Sequence, residues 1–490
     1  MSTARIPHQE TAGGHAPRLG LSLTLLALAQ LIFSLDINIV YVALPDIGRA
    51  LGFSNQTQQW VVSAYVVFAG GFLLLGGRAA DLLGRRRMFV LALTLYAVSS
   101  LAGGLATTPA VIIVARAVQG LGGALLLPST LSLINTLFEE GPKRNRALAA
   151  WGGAGASGLT VGALLGGVLT QAFGWSAVFF VNVPLAGAVA LAALVVIPRD
   201  PRGHESRRFD IPGAVTATGG ATLLVFALVQ GPETGWSNPM IVGAFVLAAV
   251  LLAAFVTLEA RSADPLMPFR LFRNRSLIVG VLTTAIYMAT FGALPYFLTV
   301  LFQSVHQYSA LRTGLVFLIP SIAIATGTQL GERMTTRLGT RTTLFLGFGI
   351  GVVGTGVLAL GFSTGATLSV AVPGLIVSGV GQGITWTAMW IASAVGVSPE
   401  EQGVANGMAS TTLNLGNAIG LAVLIAIADS GLPDRSGDAL RGSLADGSRT
   451  AVILAAAGMV LGLLVSLTLP RRAAPVVSPP ATEAVPAPAS

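Results

Sequence analysis

The sequence predicts an all-α polytopic membrane protein with fourteen transmembrane helices, and three observations carry that expectation. Of 490 residues, 53% are hydrophobic and only 10% charged, whereas a soluble chain carries about 25% charged residues. The apolar residues gather into runs of about 20, the length that crosses roughly 30 Å of hydrocarbon at 1.5 Å per residue. The runs show no two-residue alternation, so the backbone groups that lipid leaves without partners must be satisfied inside helices rather than in a closed barrel.

In order, the runs fall at 21–44, 60–76, 88–106, 110–134, 147–170, 175–197, 211–230, 240–259, 277–302, 313–330, 342–362, 367–396, 402–428 and 450–469. The first contains Ala27-Leu28-Ala29, which resembles a cleavage site, but it continues straight into a polytopic pattern and is read as a span. The second ends in the basic stretch Gly77 to Arg87, and the fourth carries Arg116 inside it. The fifth is glycine-rich, and the seventh and eighth stand apart between the polar stretches Arg199 to Asp210 and Arg261 to Ser276. Spans nine to fourteen then repeat the pattern of one to six. The Pro- and Ala-rich tail after Arg472 lacks the residues to build a core and reads as disordered.

Arginine placement sets the orientation. With the N-terminus cytoplasmic, the cytoplasmic loops collect 22 of the 28 basic residues, the positive-inside bias of a multi-pass protein. The net charge of +8 therefore reads as loop charge rather than as a nucleic-acid surface. Cysteine is absent, which excludes disulfides, thiolate nucleophiles and Cys-ligated metals. Lys143, the single lysine, is followed by Arg144 and has no phosphate-loop context, so ATP-driven transport would need another chain. Gly153 to Gly158 matches G-x-G-x-x-G, but no strand precedes it; Asn55-Gln56-Thr57 is an equally weak glycosylation match. His8, His15, His204 and His306 all lie outside the runs, so no imidazole relay crosses the membrane. An embedded enzyme would need His, Cys or acids clustered at one depth, and Asp36 is the one acid well inside a span; the chain reads as no enzyme.

A degenerate repeat relates two parts of the chain. The stretch Gly77-Arg78-Ala79-Ala80-Asp81-Leu82-Leu83-Gly84-Arg85-Arg86-Arg87 follows the second span as a loop, and Gln329 to Arg341 follows the tenth; they align on Gly84 and Gly339, with Thr336 where Asp81 stands. Spans one to six and nine to fourteen are then two halves. The expected organisation is a cytoplasmic tail at 1–20, a six-helix half at 21–197, an inserted two-helix hairpin with its loops at 198–275, a second half at 276–469 and a tail at 470–490.

These residues resemble the major facilitator superfamily, and within it the 14-span drug:proton antiporter branch. The resemblance runs from Asp36 to about Leu469. It rests on Leu35 to Pro45, on Gly77 to Arg86, on Arg116-Ala117-Val118-Gln119-Gly120-Leu121-Gly122-Gly123, on Gly158-x-x-x-Gly162-Ala163-x-x-Gly166-Gly167, and on Trp175 to Pro184. The family's proline after the second glycine of the fourth motif is replaced here by Ala163. The resemblance implies two six-helix bundles plus an inserted hairpin in the cytoplasmic membrane. It further implies proton-coupled export of lipophilic or cationic small molecules by alternating access, by a monomer whose partners are protons, substrate and lipid, with no cofactor beyond the proton gradient. An importer or facilitator of the same fold is the alternative.

Ionisable residues at bilayer depth cost about 2.5–3.5 kcal/mol each, so they face a cavity or a partner. Asp36 and Arg116 stand at similar expected depths, which predicts that they interact. One reading is proton coupling, with Arg116 holding Asp36 ionised until substrate or conformation separates them; the other is a permanent pair that only fixes packing. Gln119, Gly120 and Gly123 share Arg116's helical face. By resemblance, Asp81 with Gly77, Gly84, Arg85 and Arg86 forms a cytoplasmic latch against a helix N-terminus near Gly403. Gly120, Gly123, Gly158, Gly162, Gly166 and Gly167 are read as gate or helix-packing glycines: a small-residue stripe such as Gly158, Gly162 and Gly166 often means only tight packing, and the resemblance places that ridge between the halves, where the external gate closes. Substrate-cavity candidates are Asn38, Tyr41, Gln119, Tyr287, Phe291, Trp386, Trp390, Asn406, Ser410 and Asn414, chosen for polar or aromatic character, many at four-residue spacing along one helix face.

Overall fold

The computed structural model describes residues 19–53, 58, 60–200, 210–262, 265, 267–308, 310–428 and 437–470. The expected tails lie outside these residues apart from Leu19, Gly20 and Pro470, as do Asn55 to Thr57 and every histidine except His306.

Helices follow the runs in order: α1 (Leu19–Leu51), α2 (Trp60–Gly71 and Leu73–Leu83), α3 (Arg85–Gly104), α4 (Pro109–Leu137), α5 (Pro142–Phe173), α6 (Ala177–Phe180 and Asn182–Val196) and α7 (Ile211–Thr234). They continue as α8 (Pro239–Glu259), α9 (Arg275–Thr290 through Leu294–Thr299 and Val300–Val305), α10 (Ala310–Leu338), α11 (Thr340–Ala359), α12 (Leu368–Ala394), α13 (Gln402–Ala428) and α14 (Gly437–Ser466). Among the described residues, twelve of these are long and apolar enough to cross a membrane, and α2 makes a thirteenth if its two segments, bent by 51°, count as one span. The remaining helix, α5, is 32 residues long; its seven glycines lower its hydropathy without breaking it. The bend in α2 falls at the Gly70-Gly71 pair, a usual cause of kinks. Side chains of Asp210, Asn238 and Asn274 cap α7, α8 and α9, as short polar residues do at helix starts.

One packing scheme is used twice. Within the first half α1 packs on α5, α2 on α4, α3 on α4 and α3 on α6; within the second, α9 packs on α13, α10 on α12, α11 on α12 and α11 on α14. Glycines make the equivalent close approaches. A Cβ on Gly158, Gly162 or Gly166 of α5 would strike the backbone of α1 at Leu31, Leu35 or Ile39, and one on Gly416 or Gly420 of α13 would strike α9 at Ala285 or Ala289. The α5 ridge is therefore tight helix packing inside the first half, where small residues let α1 and α5 touch. A Cβ on Gly167 would meet nothing within 4 Å.

A correction concerns the basic stretch after α2. Gly77 and Asp81 are helical, and the chain turns at Gly84 alone. Gly84 has φ +103° and Gly339 has φ +83°, backbone that only glycine adopts without strain, so the two aligned glycines make the same tight turn in both halves. The hairpin α7–α8 lies against the seam, with α7 touching α2 of the first half and α13 of the second. There Gly71 packs on Thr222, and Gln230 donates to Ser63 Oγ at 3.1 Å.

Candidate functional site

Two constellations stand out, one inside the first half and one where the halves meet. In the first, Arg116 Nη1 of α4 donates to Asp36 Oδ2 of α1 at 2.7 Å. Asp36 Oδ1 also accepts from Gln119 Nε2 and from Asn182 Nδ2 of α6, each at 2.8 Å. Arg116 spends its other donors on Val61 O of α2 (2.9 Å) and Gln119 Oε1 (2.8 Å), and its guanidinium lies 4.4 Å over the Tyr65 ring. Gln119 reaches Ser100 Oγ of α3 at 3.0 Å, and the Tyr65 and Tyr96 hydroxyls share a 2.7 Å bond. Asp36 is 0% and Arg116 1% exposed. The carboxylate of α1 thus takes donors from α4 and α6, and α2 and α3 close the network around Arg116 and Gln119.

Physical necessity shapes this arrangement. A buried ion pair is tolerated only when good geometry and further hydrogen bonds replace the lost hydration. Glycine supplies the room: a Cβ on Gly120 would strike Tyr65 O, and one on Gly123 would meet the Phe33 ring. Gln119, expected in a cavity, is instead 1% exposed and fully engaged here, a correction that follows from its position one turn after Arg116. Asn182, Ser100, Tyr65 and Tyr96 were not singled out from sequence. Asn182 had two available signals, as a polar residue in a mostly apolar span and as a member of the Trp175 to Pro184 stretch that carries part of the resemblance.

The second constellation closes the arginine-rich side. Asp81 accepts from the backbone N–H groups of Gly403 and Val404, both at 3.0 Å, so its charge sits at the positive end of α13. Arg85 lies 3.5 Å from the same carboxylate and also donates to Pro399 O. Gly77 lets the helices touch, since a Cβ there would collide with Gly403 O. Arg86 turns away from this contact and donates to Leu194 O. At the pseudo-equivalent place, where Thr336 stands for Asp81, Asn145 of α5 donates to Thr336 Oγ1 at 3.1 Å. Asn135 of α4 donates to Gln402 Oε1 of α13 at 3.0 Å. Arg270 pairs with buried Glu401 at 2.8 Å just before α13.

The remaining cavity candidates divide. Phe291 is fully buried against Phe348 inside the second half, so it lines no cavity in this conformation. Tyr287 is 3% exposed and lies between the Phe291 and Trp386 rings, tilted to both. Trp386 and Trp390 of α12 pack on Trp151 of α5, which joins the halves. Asn406 and Ser410 are buried beside Asn135's helix, whereas Asn414 is half-buried and donates to Ser410 O. Asn38 is half-buried and Tyr41 is exposed. Trp151 was not anticipated, being a single aromatic among the α5 glycines.

Comparison with known proteins sets this architecture in a family. The sequence profile described as Major Facilitator Superfamily matches residues 26–421. The chain belongs to the major facilitator superfamily. It is 35% identical over 414 residues to the puromycin resistance protein pur8 of Streptomyces alboniger, covering 84% of this chain and 82% of that one. It is 36% identical over 413 residues to the cephamycin export protein CmcT of Amycolatopsis lactamdurans, covering 84% and 85%. The fold also matches the crystal structure of the human organic anion transporter MFSD10 (TETRAN) with TM-score 0.67 at 18% identity, over 92% of this chain and 100% of that one. The superfamily member is thus a multi-pass membrane protein of two six-helix bundles with an inserted hairpin.

Proposed function

We propose that this chain exports lipophilic or cationic small molecules, antibiotics among them, across the cytoplasmic membrane in exchange for protons, with both termini cytoplasmic. Relatives named for puromycin resistance and cephamycin export support the direction and the cargo class. The observation that carries the coupling is Asp36, an acid buried at membrane depth and held by Arg116, Gln119 and Asn182. Protonating it removes the charge that Arg116 answers, so the network must re-pair. Leu35, its neighbour, is packed against Gly162 of α5, and α5 in turn touches α10 and α12 of the other half. Re-pairing at Asp36 therefore reaches the inter-half contact through one helix. One proton entering at about 100 mV supplies roughly 2.3 kcal/mol, enough for a gradient of several tens-fold.

The test is flux of toxic lipophilic compounds in inside-out vesicles with an imposed pH gradient, wild type against Asp36→Asn. The expected result is uphill uptake into the vesicles that an uncoupler abolishes and that Asp36→Asn lacks. Unchanged proton-driven flux in Asp36→Asn would reject the coupling role, and flux in the opposite sense would identify an importer.

A further inference from the structure

Where the halves meet, three indole N–H groups are buried without a protein acceptor among the described residues: Nε1 of Trp151, Trp386 and Trp390. Trp151 is 0% and Trp390 1% exposed. An indole nitrogen only donates, so no rotamer or amide flip supplies a hidden bond. Buried polar groups are paired in roughly 90% of cases or more, and a buried donor left alone keeps its full desolvation penalty. Other buried polar atoms also lack a partner among the described residues, Asn406 Nδ2 and Ser410 Oγ of α13 included; what sets the indoles apart is that three donors of one kind sit in one mutually touching aromatic cluster, where a single acceptor-bearing ligand could meet them all.

We propose that Trp151, Trp386 and Trp390 form the recognition site for the transported molecule, and that the site selects planar aromatic cargo bearing hydrogen-bond acceptors such as ring carbonyls. This rests on the carrier reading above. Trp151 belongs to the first half and the other two to the second, so cargo held by all three bridges the moving parts. The Trp151 and Trp386 rings stack at 6.0 Å and 15°, with Trp390 edge-on to both at 5.6 and 5.8 Å. A planar ring between two indoles needs about 7 Å, two contacts of about 3.5 Å. Admission therefore requires the halves to part, which ties binding to the rocking motion. Gly152 permits the close approach, since a Cβ there would lie 2.6 Å from the Trp386 indole.

The experiment compares binding of 9,10-anthraquinone and anthracene, alike in shape but only the first with carbonyls, to the full chain in lipid nanodiscs by equilibrium dialysis with empty nanodiscs subtracted. Wild type is expected to hold anthraquinone at least about tenfold more tightly. Trp151→Phe, Trp386→Phe and Trp390→Phe each weaken anthraquinone about five- to tenfold, the loss of one buried hydrogen bond, and leave anthracene unchanged. Where a Phe variant fails to fold, benzothienylalanine at the same tryptophan keeps the ring and removes only the N–H. Equal affinity of wild type for the two compounds, equal weakening of both in the variants, or no weakening of either overturns the proposal. Vesicle flux separates it from the export reading: a carbonyl preference that persists while wild type moves nothing uphill defeats export and leaves the site standing.

Discussion

Asp36 and Arg116 are worth more as a pair than either is alone. Removing one partner from a buried pair leaves an uncompensated charge and costs about 3–5 kcal/mol, and here the survivor is sealed on every side by α2, α3, α4 and α6. Arg116→Leu is therefore expected to destabilise the chain by about that amount, and adding Asp36→Asn to it should recover part of the loss. Denaturant unfolding in detergent micelles measures both, and an additive double variant would show that the two side chains act independently. The pair itself was legible in the sequence, because two ionisable residues in an apolar background have few partners to choose from. The rest of the network was not. Ser100, Asn182, Tyr65 and Tyr96 are neutral residues of kinds found on many faces of many spans, and only the packing of the helices decides which of them reaches Asp36 or the side chains around it.

Element-scale behaviour depends on which backbone a helix touches. Gly162 of α5 sits against Leu35 of α1, where a Cβ would lie 2.4 Å from the carbonyl oxygen, whereas Gly167 of the same helix meets nothing within 4 Å. Gly162→Val should cost about 1–3 kcal/mol by overpacking and displace the residue beside Asp36, while Gly167→Val should leave flux and melting temperature near wild type. Equal effects at the two positions would remove α5 from the coupling route. The latch gives a second case. Replacing Asp81 by Asn keeps an acceptor but removes the charge facing the start of α13, an interaction worth up to about 2 kcal/mol when partly buried, so the arginine-rich side should open more often. The natural absence of cysteine lets spin labels be placed at Lys143→Cys and Arg337→Cys, both exposed and on opposite halves; Asp81→Asn should shift their distance distribution outward. Glycine spacing made both elements visible in the sequence. For the α5 ridge it said only that something comes close, and left open whether the neighbour belongs to the same half.

At the scale of the whole molecule, loop charge and the repeat of Gly84 in Gly339 carried the topology, and the resemblance placed Asp81 against the helix start near Gly403, where the structure has it; the further contacts on that side, such as Asn145 to Thr336 and Asn135 to Gln402, involve single neutral residues with no signal in the sequence. The hairpin is the part whose role the topology leaves least defined. Being two spans, it preserves parity and so costs nothing in orientation, yet α7 touches α2 and α13, helices that belong to opposite halves. Any rocking must therefore slide α7 along at least one of them. The tightest point is Gly71, where a Cβ would lie 2.1 Å from Thr222 Oγ1 and 2.8 Å from its Cα, so the backbone of α7 has no room to yield. Gly71→Ala should consequently slow export severalfold while leaving membrane insertion intact, and Gly71→Ala with Thr222→Gly should restore it by returning the lost space. Drug efflux from cells expressing equal amounts of each variant measures this. Full activity in Gly71→Ala would mean that the hairpin rides loosely on the seam, and a double variant no better than the single one would place the damage inside α2, at its bend, rather than at the sliding surface.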